Sequence, residues 1–125
     1  MATIKTFEDL DVWKHAIEIA TDVYLISNTT KLKQDFEMKA QIKRAACSIS
    51  NNIAEGFEYD NRKDFIRFLK IAKGSAGEVR NQLIILQRIN LLDEKEINSL
   101  KEKCVSVSKQ LKGFITYLQK YPDKK

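Results

Sequence analysis

The most constraining feature of this 125-residue sequence is an apolar repeat with helical spacing. Helix breakers are rare, because the chain has one proline and four glycines. In the C-terminal quarter, apolar residues alternate at steps of three and four, as at the a and d positions of a heptad: Ile97, Leu100, Cys104, Val107, Leu111, Phe114 and Leu118. These features favour an all-α fold and argue against a turn-rich β fold.

The periodicity predicts four helices, at about residues 7–27, 34–55, 61–90 and 94–120, within a single domain spanning 1–125. Thr6 and Asp9 have the spacing of a capping box at the start of the first helix, and Asp93 is the expected N-cap of the fourth. The connections are short, which favours antiparallel neighbours. We therefore expect an antiparallel, up-down-up-down four-helix bundle.

Core positions follow from the same spacing. Ile42, Ala46, Ile49 and Ile53 form one stripe on the second helix, and the third helix has a longer one: Phe65, Phe68, Leu69, Ala72, Ala76, Val79, Leu83 and Leu86. The first helix has two apolar stripes. We assign Leu10, Trp13, Ile17, Ala20 and Tyr24 to the core. The second stripe is the expected surface for another subunit or a protein partner: Val12, Ala16, Ile19, Val23 and Ile26.

The net charge of +5 is distributed unevenly. Residues 1–30 have more acidic than basic side chains, whereas residues 62–80 have six cations and two carboxylates. Lys63, Arg67 and Lys70 recur at i, i+4 and i+7 and should share one helix face. With Lys43, Arg44 and Lys73 they are candidate phosphate contacts for a nucleic acid. A merely solvated face is an equally good interpretation. Phe57 and Tyr59 precede this helix and could stack on bases, although loop anchoring is the alternative.

Polar residues interrupt the second and third helices at Ser48, Asn52, Glu55, Ser75 and Glu78. We interpret them as a hydrogen-bonded network that fixes helix register. The alternative is a catalytic pair of Glu55 and Glu78, tuned by Lys73 or Arg44. No nucleophile–base pair accompanies these carboxylates, so we expect no catalytic residues and no enzyme. Gly56 is the expected end of the second helix, which would leave Glu55 in need of a cation from another helix.

Four further expectations concern the glycines, the cysteines, metals or cofactors, and the location of the protein. Gly74 and Gly77 predict close approach of another helix, within or between subunits; a ligand on bare backbone is the alternative. Cys47 and Cys104 are read as small buried residues. With one histidine and no cysteine–histidine cluster, we expect no metal and no cofactor. The N-terminus does not look like a signal peptide and no apolar run reaches ~18 residues. We therefore expect a cytoplasmic protein without a membrane association.

Three blocks of sequence carry a resemblance to a known family. They are Leu10–Lys14 (LDVWK), Gln41–Gly56 (QIKRAACSISNNIAEG) and Phe65–Glu78 (FIRFLKIAKGSAGE). In order and spacing they resemble the 23S rRNA intervening-sequence proteins, which are small four-helix bundle proteins. The match covers nearly the whole chain. It departs from the family pattern at Lys73, where arginine is usual, and at Arg80, where an acidic residue is common. The usual Phe-Pro start of the second helix is absent.

The resemblance implies a fold more specifically than a function. A related branch of the family comprises accessory proteins of diversity-generating retroelements, which form basic pentameric barrels. By this resemblance we expect self-assembly into a homopentamer and a non-catalytic role as a nucleic-acid-binding scaffold, with RNA or an RNA–protein complex as the partner. The alternative is a protein–protein interaction module that docks a partner such as a reverse transcriptase. A purely structural role is a further alternative.

Overall fold

A computed structural model describes residues 3–121 as a bundle of four helices: α1 (Asp11–Thr29), α2 (Phe36–Glu58), α3 (Arg62–Arg88) and α4 (Glu94–Lys120). Each helix packs against its neighbours in the chain, and α1 closes the bundle against α4. The expected all-α, antiparallel four-helix bundle is confirmed. No helix among the described residues is both long and apolar enough to cross a lipid bilayer. Pro122, expected to end the last helix, lies outside the described residues.

Short polar side chains define where the last three helices begin. Asp35, Asn61 and Asp93 occupy the N-cap positions, and each accepts a hydrogen bond from a backbone N–H in the following turn. Asp93 forms a full capping box, as predicted. Asp60 and Asn90 have positive φ angles, of 56° and 64°, in the two tight connections on either side of α3. These residues allow the chain to reverse within a few positions.

The predicted first helix is divided near its start. The carboxylate of Asp9 accepts hydrogen bonds from the backbone N–H groups of Lys5 at 2.9 Å and Thr6 at 3.0 Å. The Thr6–Asp9 pair therefore forms as predicted, but it caps a short 3₁₀ helix, Phe7–Asp9. The bond from Lys5 and then that from Thr6 lower the pKa of Asp9. Leu10 is extended, and α1 begins only after it.

The core face of α1 is the opposite of our prediction. Ala16, Ile19 and Val23 are fully buried, whereas Tyr24 is 59% exposed. The stripe that we predicted to contact a partner therefore packs inside the bundle. Of the stripe assigned to the core, only Leu10 is buried; the others lie half-buried or exposed at the rim. Small and β-branched side chains fit between α2 and α4, while a ring such as that of Tyr24 is accommodated at the edge, under the Lys43 ammonium 4.4 Å away.

The predicted core stripes of α2, α3 and α4 are confirmed along most of their length. Gly56 has a different role from the one predicted, since α2 continues past it to Glu58. Gly56 is buried, and a Cβ built on it would lie 2.6 Å from the Cβ of Phe68. The residue is glycine because α3 approaches α2 at this point, so the prediction of a helix end was wrong.

Two further predictions about small residues are corrected. Gly74 and Gly77 are exposed, and a Cβ on either would meet nothing within 4 Å, so no helix of the bundle packs closely there. Close approach between subunits stays a prediction. Cys104 is buried as expected, but Cys47 is exposed. Ala46 occupies the core position, and Cys47, the next residue, is turned about 100° away from it around the helix.

Candidate nucleic-acid interface

Three cations follow one another along the outer face of α3, and we call Lys63, Arg67 and Lys70 the basic row. All three are exposed, while the neighbouring Phe68 and Leu69 are buried in the bundle. The helix that carries them starts at the Asn61 cap, whose side-chain carbonyl accepts the backbone N–H of Asp64 at 2.9 Å. The basic row therefore projects from a helix whose inner face is fixed by the core.

The basic row is largely unpaired by carboxylates. Arg67 Nη2 lies 3.3 Å from Asp64 Oδ1, in an exposed pair. The Asn61 amide donates to Asp64 at 2.8 Å, and this bond, followed by the one from Arg67, lowers the pKa of Asp64. Within residues 3–121, neither Lys63 nor Lys70 has a carboxylate oxygen within 4.0 Å. These two ammonium groups are available to phosphates.

Lys103 on α4, in contrast to Lys63 and Lys70, is paired with carboxylates. Its ammonium lies 2.6 Å from Asp22 and 3.3 Å from Glu18 on α1. The hydrogen bond to Asp22 raises the pKa of Lys103. This contact was not predicted from the sequence. The signal that could have found it is the pair of acidic residues four apart on α1, which share one face.

Aromatic side chains border the basic row where α2 meets α3. The Arg67 guanidinium carbon lies 4.4 Å from the centroid of the Phe68 ring. The Tyr59 ring packs against Phe68 with the centroids 4.9 Å apart, and Tyr59 itself is 50% exposed. A cation, a buried ring and an exposed ring thus form one cluster.

The other predicted phosphate contacts do not all join the basic row. Arg44 is exposed on α2. Lys43 reaches over Tyr24 of α1 and so lies on the side of α2 away from α3. Lys73 is half-buried. Arg80 lies seven residues after Lys73 and therefore on the same face of α3. Arg80 lines a groove of about 650 Å³ together with residues of α4. Lys73 therefore lies on the side of α3 that faces α4.

Three of the five predicted network residues come together between α2 and α3. The hydroxyls of Ser48 and Ser75 are hydrogen-bonded at 2.9 Å. The Asn52 amide donates to the Ser48 hydroxyl at 2.9 Å and to the Ser48 backbone carbonyl at 2.7 Å. All three side chains are at least partly shielded from water. Because Ser48 and Ser75 belong to different helices, their hydrogen bond links α2 to α3. A role of this cluster in setting the helix register stays a prediction.

The two glutamates lie outside that cluster. Glu55 is exposed, and the cation predicted to answer it is not found within 4.0 Å among the described residues. It also does not sit at the helix end, because α2 continues to Glu58. Glu78 is exposed and accepts a hydrogen bond from the Gln82 amide at 3.4 Å. In the part of the chain from residue 3 to 121, no three side chains of His, Cys, Asp or Glu gather into a group that could hold a metal.

Comparisons with known proteins agree with this architecture. A solved structure of a protein of unknown function from the S23 ribosomal protein family, from Bacteroides thetaiotaomicron, is similar to this chain with a TM-score of 0.76 and 28% identity. The match covers 83% of this chain and 97% of that one. The curated proteins contain no match. The family model described as 23S rRNA-intervening sequence protein matches residues 8–113. The chain therefore belongs to the 23S rRNA-intervening sequence protein family.

Proposed function

We propose that this protein is a non-catalytic, cytoplasmic RNA-binding scaffold built from several copies of the chain. One observation carries the proposal: the exposed basic row, in which Lys63 and Lys70 have no carboxylate partner in the described chain. A surface whose cations are already paired offers little to a phosphate backbone, whereas unpaired ammonium groups can release condensed counterions on binding.

The geometry of the basic row suits a phosphate backbone. Residues 63 to 70 span about 10 Å along the helix axis, so the three cations can contact neighbouring phosphates of one strand. Contacts of this kind carry little base information and weaken steeply as salt rises. The proposal is therefore for general RNA binding, with Lys73, Lys43 and Arg44 as secondary contacts.

Self-assembly into a ring of five is the second part of the proposal, and it rests on the family resemblance. Ile71 and Ile85 are 44% and 40% exposed, and they share one strip of α3 because they are fourteen residues apart. Arg67 lies on this strip, since Ile85 follows it by five full turns, and Lys63 and Lys70 lie about 40–100° around the helix from it. A subunit that covers the strip would therefore border the basic row and leave the two lysines at the edge of the contact. A ring would repeat the row in every subunit and strengthen binding through multivalency.

The proposal assigns no catalytic step to this chain. Glu55 and Glu78, the pair considered for acid–base chemistry, are both exposed, and no hydrogen bond joins them in the described chain. The competing role is docking of a protein partner such as a reverse transcriptase. Its support is no longer the stripe of Val12, Ile19 and Val23, which the core covers. It is the pair of exposed residues Tyr24 and Leu25, each 59% exposed.

The test is binding of a labelled structured RNA at several salt concentrations, with assembly mass measured by light scattering in the same samples. The Lys63→Glu/Arg67→Glu/Lys70→Glu variant should lose about 100-fold or more in affinity at low salt. The matched control, Lys95→Glu/Lys109→Glu/Lys112→Glu, makes the same change in net charge at exposed residues of α4 and should bind RNA more tightly than the first variant.

Two results would overturn the proposal. Equal losses in the two variants would mean that total charge, and not the basic row, governs binding. No binding by the unmodified protein at low salt would make the row a solvated surface. The search would then turn to protein partners at Tyr24 and Leu25.

A further inference from the structure

We propose that this protein binds unpaired rather than duplex RNA, with a base stacked on the exposed face of Tyr59. This inference rests on the proposed RNA binding and names its substrate class. Tyr59 is the first residue after α2, and the basic row begins at Lys63 in the first turn of α3. A strand whose phosphates follow the row therefore passes close to the Tyr59 ring.

The Tyr59 ring is held in place from beneath. It packs against Phe68 with a centroid separation of 4.9 Å and an interplanar angle of 51°, and Phe68 is only 7% exposed. The Asn61 amide donates to the Tyr59 backbone carbonyl at 3.2 Å. Half of Tyr59 nevertheless stays open to solvent. A ring fixed on one side and free on the other is ready to stack with little loss of conformational entropy.

Arg67 connects the ring to the phosphate contacts. Its guanidinium lies over the Phe68 ring, 4.4 Å from the centroid, and its only carboxylate partner in residues 3–121 is the partly exposed Asp64. The same side chain therefore belongs to the basic row and to the aromatic cluster. An aromatic face next to cations is the combination by which proteins hold single strands without sequence preference.

This juxtaposition favours single strands because a duplex hides its base faces in the stack. Double-stranded RNA offers phosphates and 2′-hydroxyls to a protein, but no free face for Tyr59. Unpaired loops and ends offer both phosphates and free faces. The basic row alone would not discriminate between them, so the discrimination is a property of Tyr59.

The experiment compares a short single-stranded oligoadenylate with an RNA duplex of the same length, by fluorescence anisotropy at low salt. Tyr59→Leu keeps an apolar contact with Phe68 but removes the aromatic face. It should weaken binding of the single strand about tenfold and leave duplex binding unchanged. Tyr59→Phe restores the face and should restore the affinity to within about twofold.

Tyr24→Leu is the matched control, because Tyr24 is also exposed beside a lysine but lies on α1, away from the basic row. It should leave the preference for the single strand over the duplex unchanged, because any effect through the neighbouring Lys43, a proposed phosphate contact, falls on both RNAs alike. Thermal melting of Tyr59→Leu shows whether the fold persists, and Tyr59→Phe, which preserves the packing on Phe68, keeps the test valid if it does not. In that case Tyr59→Phe should match the unmodified protein and still prefer the single strand.

Equal affinities of the unmodified protein for the two RNAs, or an unchanged single-strand affinity in folded Tyr59→Leu, would overturn the stacking proposal. These failures are distinguishable from failure of RNA binding itself. If binding stays salt-sensitive and dependent on Lys63, Arg67 and Lys70, the proposed function stands and only the role of Tyr59 falls. If neither RNA binds, both proposals fall.

Discussion

The inner and outer faces of α3 obey different rules. On the inner face, Leu69, Ala72, Val79 and Leu83 are fully buried, and the other helices of the chain explain every one of them. On the outer face, a Cβ placed at Gly74 or Gly77 would meet no atom beyond the backbone of its own helix within 4 Å. The inner face is explained by folding, so the outer face is where a second molecule should be sought.

The two faces also differ in what their residues contribute to the free energy of folding. A glycine in an exposed helix interior costs about 1 kcal/mol relative to alanine, and the outer face has two. Lys63, Lys70 and Gly77 follow at steps of seven and share one strip of that face. Folding of the single chain gains nothing from the two glycines. A contact with RNA or with another copy of the chain would supply the missing reason.

The largest predicted difference between an inner and an outer position is the reactivity of the two thiols. Burial raises the pKa of the Cys104 thiol from 9.0 to about 12, whereas Cys47 is exposed. At pH 8 a chromogenic disulfide reagent should modify one thiol per chain quickly and Cys104 at least about 1000-fold more slowly. Cys47→Ser should have no fast thiol. Rapid reaction of two thiols in the native protein would contradict this burial.

The raised pKa of the Cys104 thiol also makes the stability of the fold depend on pH. The folded-state pKa of Cys104 is higher than its unfolded value, so the stability linked to the neutral thiol is complete below pH 9.0. It is lost as the pH rises from 9.0 toward 12. Cys104→Ala should therefore have a flatter stability profile in this range, measured by urea unfolding.

Gly56→Ala should cause the largest loss of stability among the glycine substitutions. Its Cβ would lie 2.6 Å from that of Phe68, and this atom cannot move without the α3 backbone. We expect the free energy of unfolding to fall by about 2–3 kcal/mol, measured by urea titration. Gly113→Ala is the control, since a Cβ there meets nothing within 4 Å and should not destabilise α4. Equal effects of the two would contradict the close approach of α2 and α3.

Gly74→Ala and Gly77→Ala should have the opposite sign. Each should raise the free energy of unfolding by up to about 1 kcal/mol, because alanine is the better helix former and has room. Unfolding should be followed at two protein concentrations. A gain at low concentration that turns into a loss at high concentration would place these glycines between subunits. A loss at both would mean that the outer face is packed within the chain.

The smallest predicted effect separates a paired lysine from an unpaired one. Lys103→Met removes the contacts with Glu18 and Asp22 and should cost about 0.5–1 kcal/mol, since the group is partly exposed. Lys70→Met should change the stability by less than about 0.3 kcal/mol. Because the pKa of Lys103 is raised, its contribution persists below pH 10.5 and disappears as the pH rises above that value. Equal costs would remove the distinction between the two lysines.

The bundle could be predicted because its information is local. Step lengths along the sequence fix which face of α3 or α4 is apolar, and a capping pair such as Asp93 and Glu96 marks a boundary. The core face of α1 could not be predicted in this way, since both of its stripes are apolar. Whether Tyr24 or Ile19 points inward depends on how α2 and α4 are placed, which local spacing does not specify.

In the candidate site, too, features of a single helix could be predicted from the sequence, whereas contacts between helices could not. The spacing of Lys63, Arg67 and Lys70 on one helix was sufficient to predict a common exposed face. Contacts between helices do not follow from the spacing within one helix. Gly56 reads as a helix end until Phe68 is known to approach it, and the packing of Tyr59 on Phe68 depends on the turn between α2 and α3. A residue type permits several roles, and the opposite helix decides among them.

The salt dependence of RNA affinity tests the central claim most directly. For the unmodified protein, the logarithm of the association constant should fall against the logarithm of salt concentration with a slope of about −2 or steeper, as three phosphate contacts require. The Lys63→Glu/Arg67→Glu/Lys70→Glu variant should have a slope near zero, and the Lys95→Glu/Lys109→Glu/Lys112→Glu control should keep the original slope. A slope unchanged by reversal of the basic row would contradict the account.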